Sequence, residues 1–302
     1  GFARSVDAVL RRLDVNGDHG RASARERLME RGLAELGWSA KAMTRNVRGC
    51  TQDDSCGYCG FGCVRGAKRS MTKTYLQDAF DHRARIVVDC EVERVTVRDG
   101  AAVGVMGRTR EGARVEVRAR AVVAAAGAIG TPALLLRSGL GGRVGHGLRL
   151  HPTTAVWGTF DEEVRPWTGT IQARYSDEFA DLDDGYGFTL ETTGVHPAFF
   201  AIATPWRDAA QFDSVMRELP HVSLVGVLLR DRDAGRVTVS RAGRPRIAYA
   251  VSPYDQRHVR RGVEAGARVL AAAGARRIWS MQTRYVPLEP ANEAVERWMS
   301  RV

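Results

Sequence analysis

Lysine is almost missing from this 302-residue sequence: it occurs only at 41, 68 and 73, so arginine carries nearly all of the positive charge. Long apolar runs are missing too. The longest uncharged stretch, residues 121–136, is 16 residues and is broken by Gly127, Gly130 and Thr131-Pro132. That is short of the ~18–20 apolar residues a membrane-spanning helix needs, so no membrane span is expected. No basic, apolar, small-residue leader opens the chain, and Gly1 in place of an initiator Met makes the start read as cut. The expected location is the cytoplasm, or the periphery of a membrane. No repeat of fixed period and no low-complexity tract occurs, which argues against a solenoid or a fibre.

What is present fits a globular protein. The residues are 44% hydrophobic and 26% charged, and a length of 302 suggests two domains with a sizeable core. The net charge of +10 raises nucleic acid as a partner, so its distribution matters. Residues 230–284 hold 13 arginines against four carboxylates, whereas 161–191 hold nine carboxylates against two arginines. An acidic stretch of that size repels phosphates, and arginine without lysine equally reflects a codon bias. No nucleic-acid partner is expected; a basic nucleic-acid-binding module stays the alternative that a salt-dependent gel shift would detect.

The pattern predicts helices in the first 40 residues, broken at Gly17-Asp18-His19-Gly20, and a short one over 72–80. Residues 48–68 read as loop. Strand-like runs follow at 85–89, 92–98, 102–106 and 114–118, with hairpin turns at Asp99-Gly100 and Glu111-Gly112. Ala121-Val-Val-Ala-Ala125 does not alternate, which predicts a strand buried on both faces of a parallel sheet. It runs into Gly127-Ala-Ile-Gly130 and an apolar helix with Thr131 as N-cap, Pro132 at the first helical position and Gly139 as the C′ stop. Buried strand, glycine turn and capped helix make half of a dinucleotide-type unit. From His151 the texture is antiparallel α+β, with a strand at 222–229, a hairpin over 235–249 and a helix over 255–273. The expected fold class is α/β plus α+β: residues 1–150 a partial Rossmann-like domain, residues 151–302 an antiparallel-sheet domain.

Four of the five cysteines form Cys50-x5-Cys56-x2-Cys59-x3-Cys63, with glycines at 49, 57, 60 and 62. Thiolates are soft ligands, and such spacing can enclose zinc or an iron–sulfur cluster. The same residues can be reduced structural thiols, or a disulfide in a secreted protein. The three readings stay open and no metal ligand is assigned; on the cluster reading the chain would be an electron-transfer dehydrogenase subunit. Cys90, Trp157, Trp167 and Trp206 are expected in the core, His258 on the surface among Arg257, Arg260 and Arg261. His151 reads as structural; His196-Pro197 with Phe199-Phe200 could line an apolar channel, but the Phe pair is expected as plain core.

GAIGTPALLLRSGLG, residues 127–141, resembles position by position the second signature of the glucose–methanol–choline (GMC) oxidoreductases. The similarity extends to Gly66–Leu76, to Glu91–Val95 with Ala102–Val105, and to Val144–Pro152, where Gly147 replaces the usual Asn. Residues 235–239, 245–249 and 252–255 are similar to the start of the family's C-terminal region, from about 225. The cysteine-rich loop and the RLHP form point to the branch similar to long-chain alcohol oxidases. The resemblance implies FAD as cofactor, with the backbone of Val92 meeting the adenine and Ala126, Gly127 and Ala128 packing beside the adenosine half. It implies oxidation of an alcohol, such as a long-chain primary alcohol, to the aldehyde, with electrons passing to O2 or a carrier. The family's GxGxxG turn has no counterpart here, since Gly57-Tyr-Cys-Gly60-Phe-Gly62 has the wrong spacing. Nor is the family's catalytic His matched, so no residue is assigned a catalytic role. The chain reads as a fragment of the enzyme, expected to bind FAD weakly and to turn over nothing alone.

Overall fold

The computed structural model describes residues 1–53 and 56–302. In chain order the elements begin with helix Phe2–Arg12 (α1), the short strand Val15–Asn16 (β1), helix Ala24–Glu35 (α2), strands Lys41–Ala42 (β2) and Arg45–Asn46 (β3), and helix Tyr75–Asp81 (α3). A meander follows, Cys90–Arg98 (β4), Ala101–Thr109 (β5) and Arg114–Arg118 (β6), then helix Gly127–Arg137 (α4), strand His146–Leu148 (β7) and strand Thr153–Thr159 (β8). Next are Arg174–Ser176 (β9), Phe188–Glu191 (β10), helices Pro197–Ala203 (α5) and Ala209–Arg217 (α6), and strands Val222–Leu229 (β11), Gly235–Val239 (β12) and Pro245–Ala248 (β13). Helix Pro253–Ala272 (α7), strand Arg277–Ser280 (β14) and helix Val295–Met299 (α8) complete it. The fold is mixed α/β, and every named ladder is antiparallel.

The chain forms two compact units, both discontinuous: Gly1–Asp78 with His151–Arg230 and Asp255–Val302, and Ala79–Leu150 with Asp231–Tyr254. In the first, a six-stranded sheet runs in the order β14-β8-β11-β10-β9-β2. Successive side chains of a strand point to opposite faces, and β11 shows why its whole length is apolar. Val225, Val227 and Leu229 pack in one core with Leu28, Leu33, Val263, Leu270 and Trp298, while Val222 and Leu224 join Trp157, Phe200, Val215 and Trp279 in another. The sheet is thus covered on both faces, by α2, α7 and α8 on one side and α5 and α6 on the other.

A carboxylate of the sheet itself sits within this packing. Glu191 on β10 is 6% exposed, and burial pushes its pKa up. An unfolded Glu191 therefore releases its proton before a folded one does. Below the ordinary carboxylate range the group is neutral in both states and costs nothing; as pH climbs through that range the unfolded state gains and stability falls. The fall ends once pH passes the raised folded value. Urea unfolding of Glu191→Gln at several pH values is expected to lack this component, and an unchanged profile would dismiss it.

The second unit holds two three-stranded sheets, β4-β5-β6 and β13-β12-β7, with α4. The Asp99-Gly100 turn takes φ of 48° and 77°, the left-handed values a tight hairpin requires. Helix α4 ends as the glycine predicts: Gly139 has φ 80° and donates to Leu136 O, and Leu140 N donates to Leu135 O, a Schellman closure.

Several expectations are corrected. Residues 121–125 form no strand, and Val123 is 88% exposed; residues 85–89 likewise form none, and Val88 is 75% exposed. An apolar run becomes a buried strand only beside partner strands, and among the described residues no strand is laddered to residues 85–88 or 121–125. Thr131 lies inside α4 instead of capping it, because the helix begins four residues earlier at Gly127; its Oγ1 accepts from Ala126 N at 2.9 Å. His258 is buried, not superficial, and Trp206 is 61% exposed while Trp157 is fully buried and Trp167 half-buried. Phe200 is core, Phe199 is exposed, and Cys90 is half-buried. The arginine-rich stretch 230–284 is divided between the two units.

Candidate functional site

Two places gather the residues singled out by sequence, one in each unit. In the second unit, Gly127 opens α4 with φ 77°, and apart from its chain neighbours and its own helix backbone nothing lies within 4 Å of where its Cβ would stand. The space ahead of this turn is free for a ligand to meet bare backbone. Gly127 and Ala128 line an open cleft of about 580 Å³ with Thr131, Gly145, His146 and Gly147. Gly147 has φ 85°, a left-handed conformation that Asn tolerates better than other side chains, so its exchange for the family's usual Asn keeps the backbone path.

Ala126 and Val92 lie outside that lining. Ala126 is the residue before α4, its amide taken by Thr131. Val92 stands at an irregularity of the β4–β5 ladder, and its carbonyl accepts from Arg137 Nη2 at 3.3 Å. Arg137 also donates to Glu93 O at 3.0 Å, so the last turn of α4 is tied to the strand bearing Val92. The second unit carries 17 arginines against 9 carboxylates, a net +8, which leaves the first nearly neutral. A positive unit with a helix N-terminus opening on bare backbone suits an anionic, partly planar ligand.

In the first unit, Cys50, Cys56, Cys59 and Cys63 all line one cavity of about 230 Å³, beside Arg45, Arg65 and Lys68. Arg45 donates from Nη1 to Cys50 Sγ at 3.9 Å and from Nη2 to Cys59 Sγ at 3.6 Å. Burial pushes the Cys63 thiol up, but backbone amides of Lys68, Ala67, Arg65 and Gly66 donate to its sulfur and bring it below its ordinary range. The Cys56 thiol is raised, chiefly by burial and further by its closeness to Cys59 and Cys50. The loop is held from outside. A Cβ on Gly57 would stand 1.9 Å from Trp167 O, Gly169 N donates to Cys56 O at 2.9 Å, and His196 Nε2 meets Gly57 O at 3.0 Å. The His196 ring packs on Tyr58 and Phe61, 4.8 and 4.9 Å between centroids. Sequence spacing points to the cysteines; Arg45 carries no such signal, and the sequence sets His196 beside Phe199-Phe200 rather than at this loop, because the contacts both make depend on the fold.

Residues 1–153 match the profile of the GMC oxidoreductases. The chain belongs to the GMC oxidoreductase family. The members of this family are FAD-binding flavoproteins. An uncharacterized GMC-type oxidoreductase of Mycobacterium tuberculosis is 36% identical over 265 residues, covering 87% of this chain and 40% of that protein. Long-chain-alcohol oxidase FAO3 of Arabidopsis thaliana is 27% identical over 298 residues, covering 92% of this chain and 39% of the relative. The chain thus spans about two fifths of the length of the curated relatives it matches. Among solved structures, a formate oxidase from Aspergillus oryzae superposes with a TM-score of 0.62 at 14% identity, covering 94% of this chain and 59% of that one. Pyridoxine 4-oxidase from Mesorbium loti gives 0.61 at 17% identity, covering 84% and 52%. No described helix of this GMC chain is long and apolar enough to cross a membrane.

Proposed function

We propose that this GMC chain is part of a flavoenzyme that oxidises an alcohol to an aldehyde, and that it supplies the adenosine-side portion of the FAD site. The reading rests on the turn at Gly127: a positive-φ glycine opens α4 onto a cleft, with no atom from elsewhere in the chain near where a side chain would be. Gly127 and Ala128 would hold the cofactor by backbone contact, Ala126 would shape the turn, and Val92 would meet the adenine through its main chain. Bound FAD would supply the hydride acceptor. The substrate class follows from similarity to a plant long-chain-alcohol oxidase, and electrons would leave to O2 or a carrier. No side chain of this chain is given the proton-abstracting role.

In a flavin-loaded preparation, Gly127→Val is expected to lower FAD affinity at least tenfold, because a branched side chain fills the space ahead of the turn and the backbone resists positive φ. Flavin content after gel filtration, with far-UV circular dichroism as the check on folding, measures it. A folded variant retaining its full flavin would refute the assignment of this turn. Oxidation of a panel of primary alcohols of increasing chain length, followed with O2 and with an artificial acceptor, tests the substrate class and the acceptor.

A further inference from the structure

The positive charge of the second unit is not spread evenly, and one cleft gathers guanidiniums with little to balance them. This cleft, of about 600 Å³, lies between the start of β4 and the turn that joins β12 to β13. It shares no lining residue with the cleft at Gly127. Arg94 lines it from β4, Arg241 and Arg244 from the turn, and Arg137 from α4. Strict alternation would send Arg94 to the face opposite Glu91 and Glu93. An irregularity in the β4–β5 ladder between Val92 and Arg94 brings all three to the one cleft, as a bulge re-aims a side chain.

The main chain fixes the remaining wall. Arg137 Nε donates to Glu93 O at 3.0 Å and its Nη1 to Gly243 O at 3.3 Å, so one guanidinium joins strand to turn. Gly243 has φ 74°, and a Cβ there would stand 3.0 Å from Arg137 Cδ, so glycine lets the turn close on the arginine. Across the turn, Ser240 N donates to Arg244 O at 2.8 Å and Arg244 N to Ser240 Oγ at 3.1 Å. The exposed side chains of Arg241 and Arg244 thus rise from a closed base.

The carboxylates of the lining are Glu91 and Glu93, and Glu93 is already paired with Arg108 at 3.1 Å. Among the described residues, the ion pairs of this unit are made by Arg108, Arg118 and Arg232, and none by Arg94, Arg241 or Arg244. Four guanidiniums therefore line the cleft against Glu91 alone. Guanidinium forks match the oxygens of phosphate, and arginine keeps its charge at any physiological pH. A phosphomonoester carries about two negative charges at neutral pH, so it answers this lining better than a carboxylate does. The volume leaves room for an organic group beyond the phosphate.

We propose that the cleft between β4 and the β12–β13 turn binds a phosphomonoester, with Arg94, Arg241 and Arg244 holding the phosphate and Arg137 fixing the turn. The phosphate belongs to a soluble molecule or to a lipid headgroup; the chemistry recognised is the same.

Isothermal titration of the 302-residue chain with glycerol 3-phosphate, and co-sedimentation with phosphatidylcholine vesicles containing phosphatidic acid, separate the two sources. Binding of glycerol 3-phosphate without sedimentation assigns a soluble ligand, whereas sedimentation that glycerol 3-phosphate reverses assigns the headgroup. Arg241→Gln with Arg244→Gln is expected to weaken binding at least about tenfold, and Arg94→Gln, from the β4 side, to weaken it as well. Arg114→Gln with Arg118→Gln removes the same charge from β6, outside the cleft, and at physiological salt should leave the affinity within about twofold. Far-UV circular dichroism confirms that each variant is folded. Equal losses from the two pairs would mean that overall charge, not this cleft, attracts the ligand, and would overturn the proposal. So would no binding of either probe, sedimentation that glycerol 3-phosphate does not reverse, or tighter binding of a single-stranded oligonucleotide, whose phosphates are diesters. Flavin content is not among these readouts, so failure here is distinct from failure of the flavin assignment.

Discussion

Replacing Arg25 with methionine is expected to destabilise the protein by about 3–5 kcal/mol, the cost of breaking a buried ion pair from one side. Arg25 is fully buried on α2, where burial draws its pKa down and Glu26 opposes the shift. Its Nη1 donates to Pro166 O at 3.0 Å and to Thr168 O at 2.6 Å, and its Nη2 donates to Thr170 O and to Glu26 Oε1, the latter at 3.2 Å. Methionine fills a similar volume but leaves three carbonyls without this donor and the equally buried Glu26 without its cation. Lysine is expected to rescue little, since one ammonium cannot reach the same set of acceptors. Urea denaturation measures the loss; a change under 1 kcal/mol would mean the pocket rearranges around water. Because Trp167 and Gly169 back the cysteine loop, the variant should also expose Cys56 and Cys59 to thiol reagents more readily.

Phe200→Ala is expected to cost a similar amount, about 3–5 kcal/mol, by opening a cavity. The Phe200 ring is fully buried, 5.2 Å from Trp157 and 6.4 Å from Trp279 between centroids, on the sheet face covered by α5 and α6. Those indoles sit on two adjacent strands and cannot follow a retreating side chain without breaking the register Trp279↔Trp157. Phe200→Leu should cost markedly less, since it keeps most of the volume. The midpoint of thermal unfolding reports both. If alanine and leucine were equally tolerated, Phe200 would not be the wedge of this core. The same helix begins after His196, so its loosening is expected to reach Gly57 as well.

Where sequence and structure agree, the signals were local. The Asp99-Gly100 hairpin, the Gly139 stop and the apolar run of β11 depend on residues within a few positions of one another. Residues 85–89 and 121–125 show the converse: apolar content fitted a strand, but a strand is a relation between segments, and the described residues supply none beside them. The charged neighbours of His258 point to the surface, whereas its spacing points inward. It lies on the stripe 255, 258, 262 and 266, all buried, at the three- and four-residue intervals of a helix face. At the cysteine loop the ligand-type residues were legible because they are close in sequence. Their surroundings were not, because His196 reaches Gly57 across 139 residues and Arg25 reaches Pro166 across 141.

The discontinuity of the first unit has a consequence during synthesis. When a ribosome has translated residue 250, strands β8 to β11 exist, but α7 and β14, at 253–272 and 277–280, do not. Val156, Val225 and Val227 then have no α7 to cover them, and β8 presents an open edge where β14 will pair. The nascent chain must carry that apolar sheet until α7 and β14 have followed it, which makes the interval a natural point for chaperone engagement and for losses when elongation stalls.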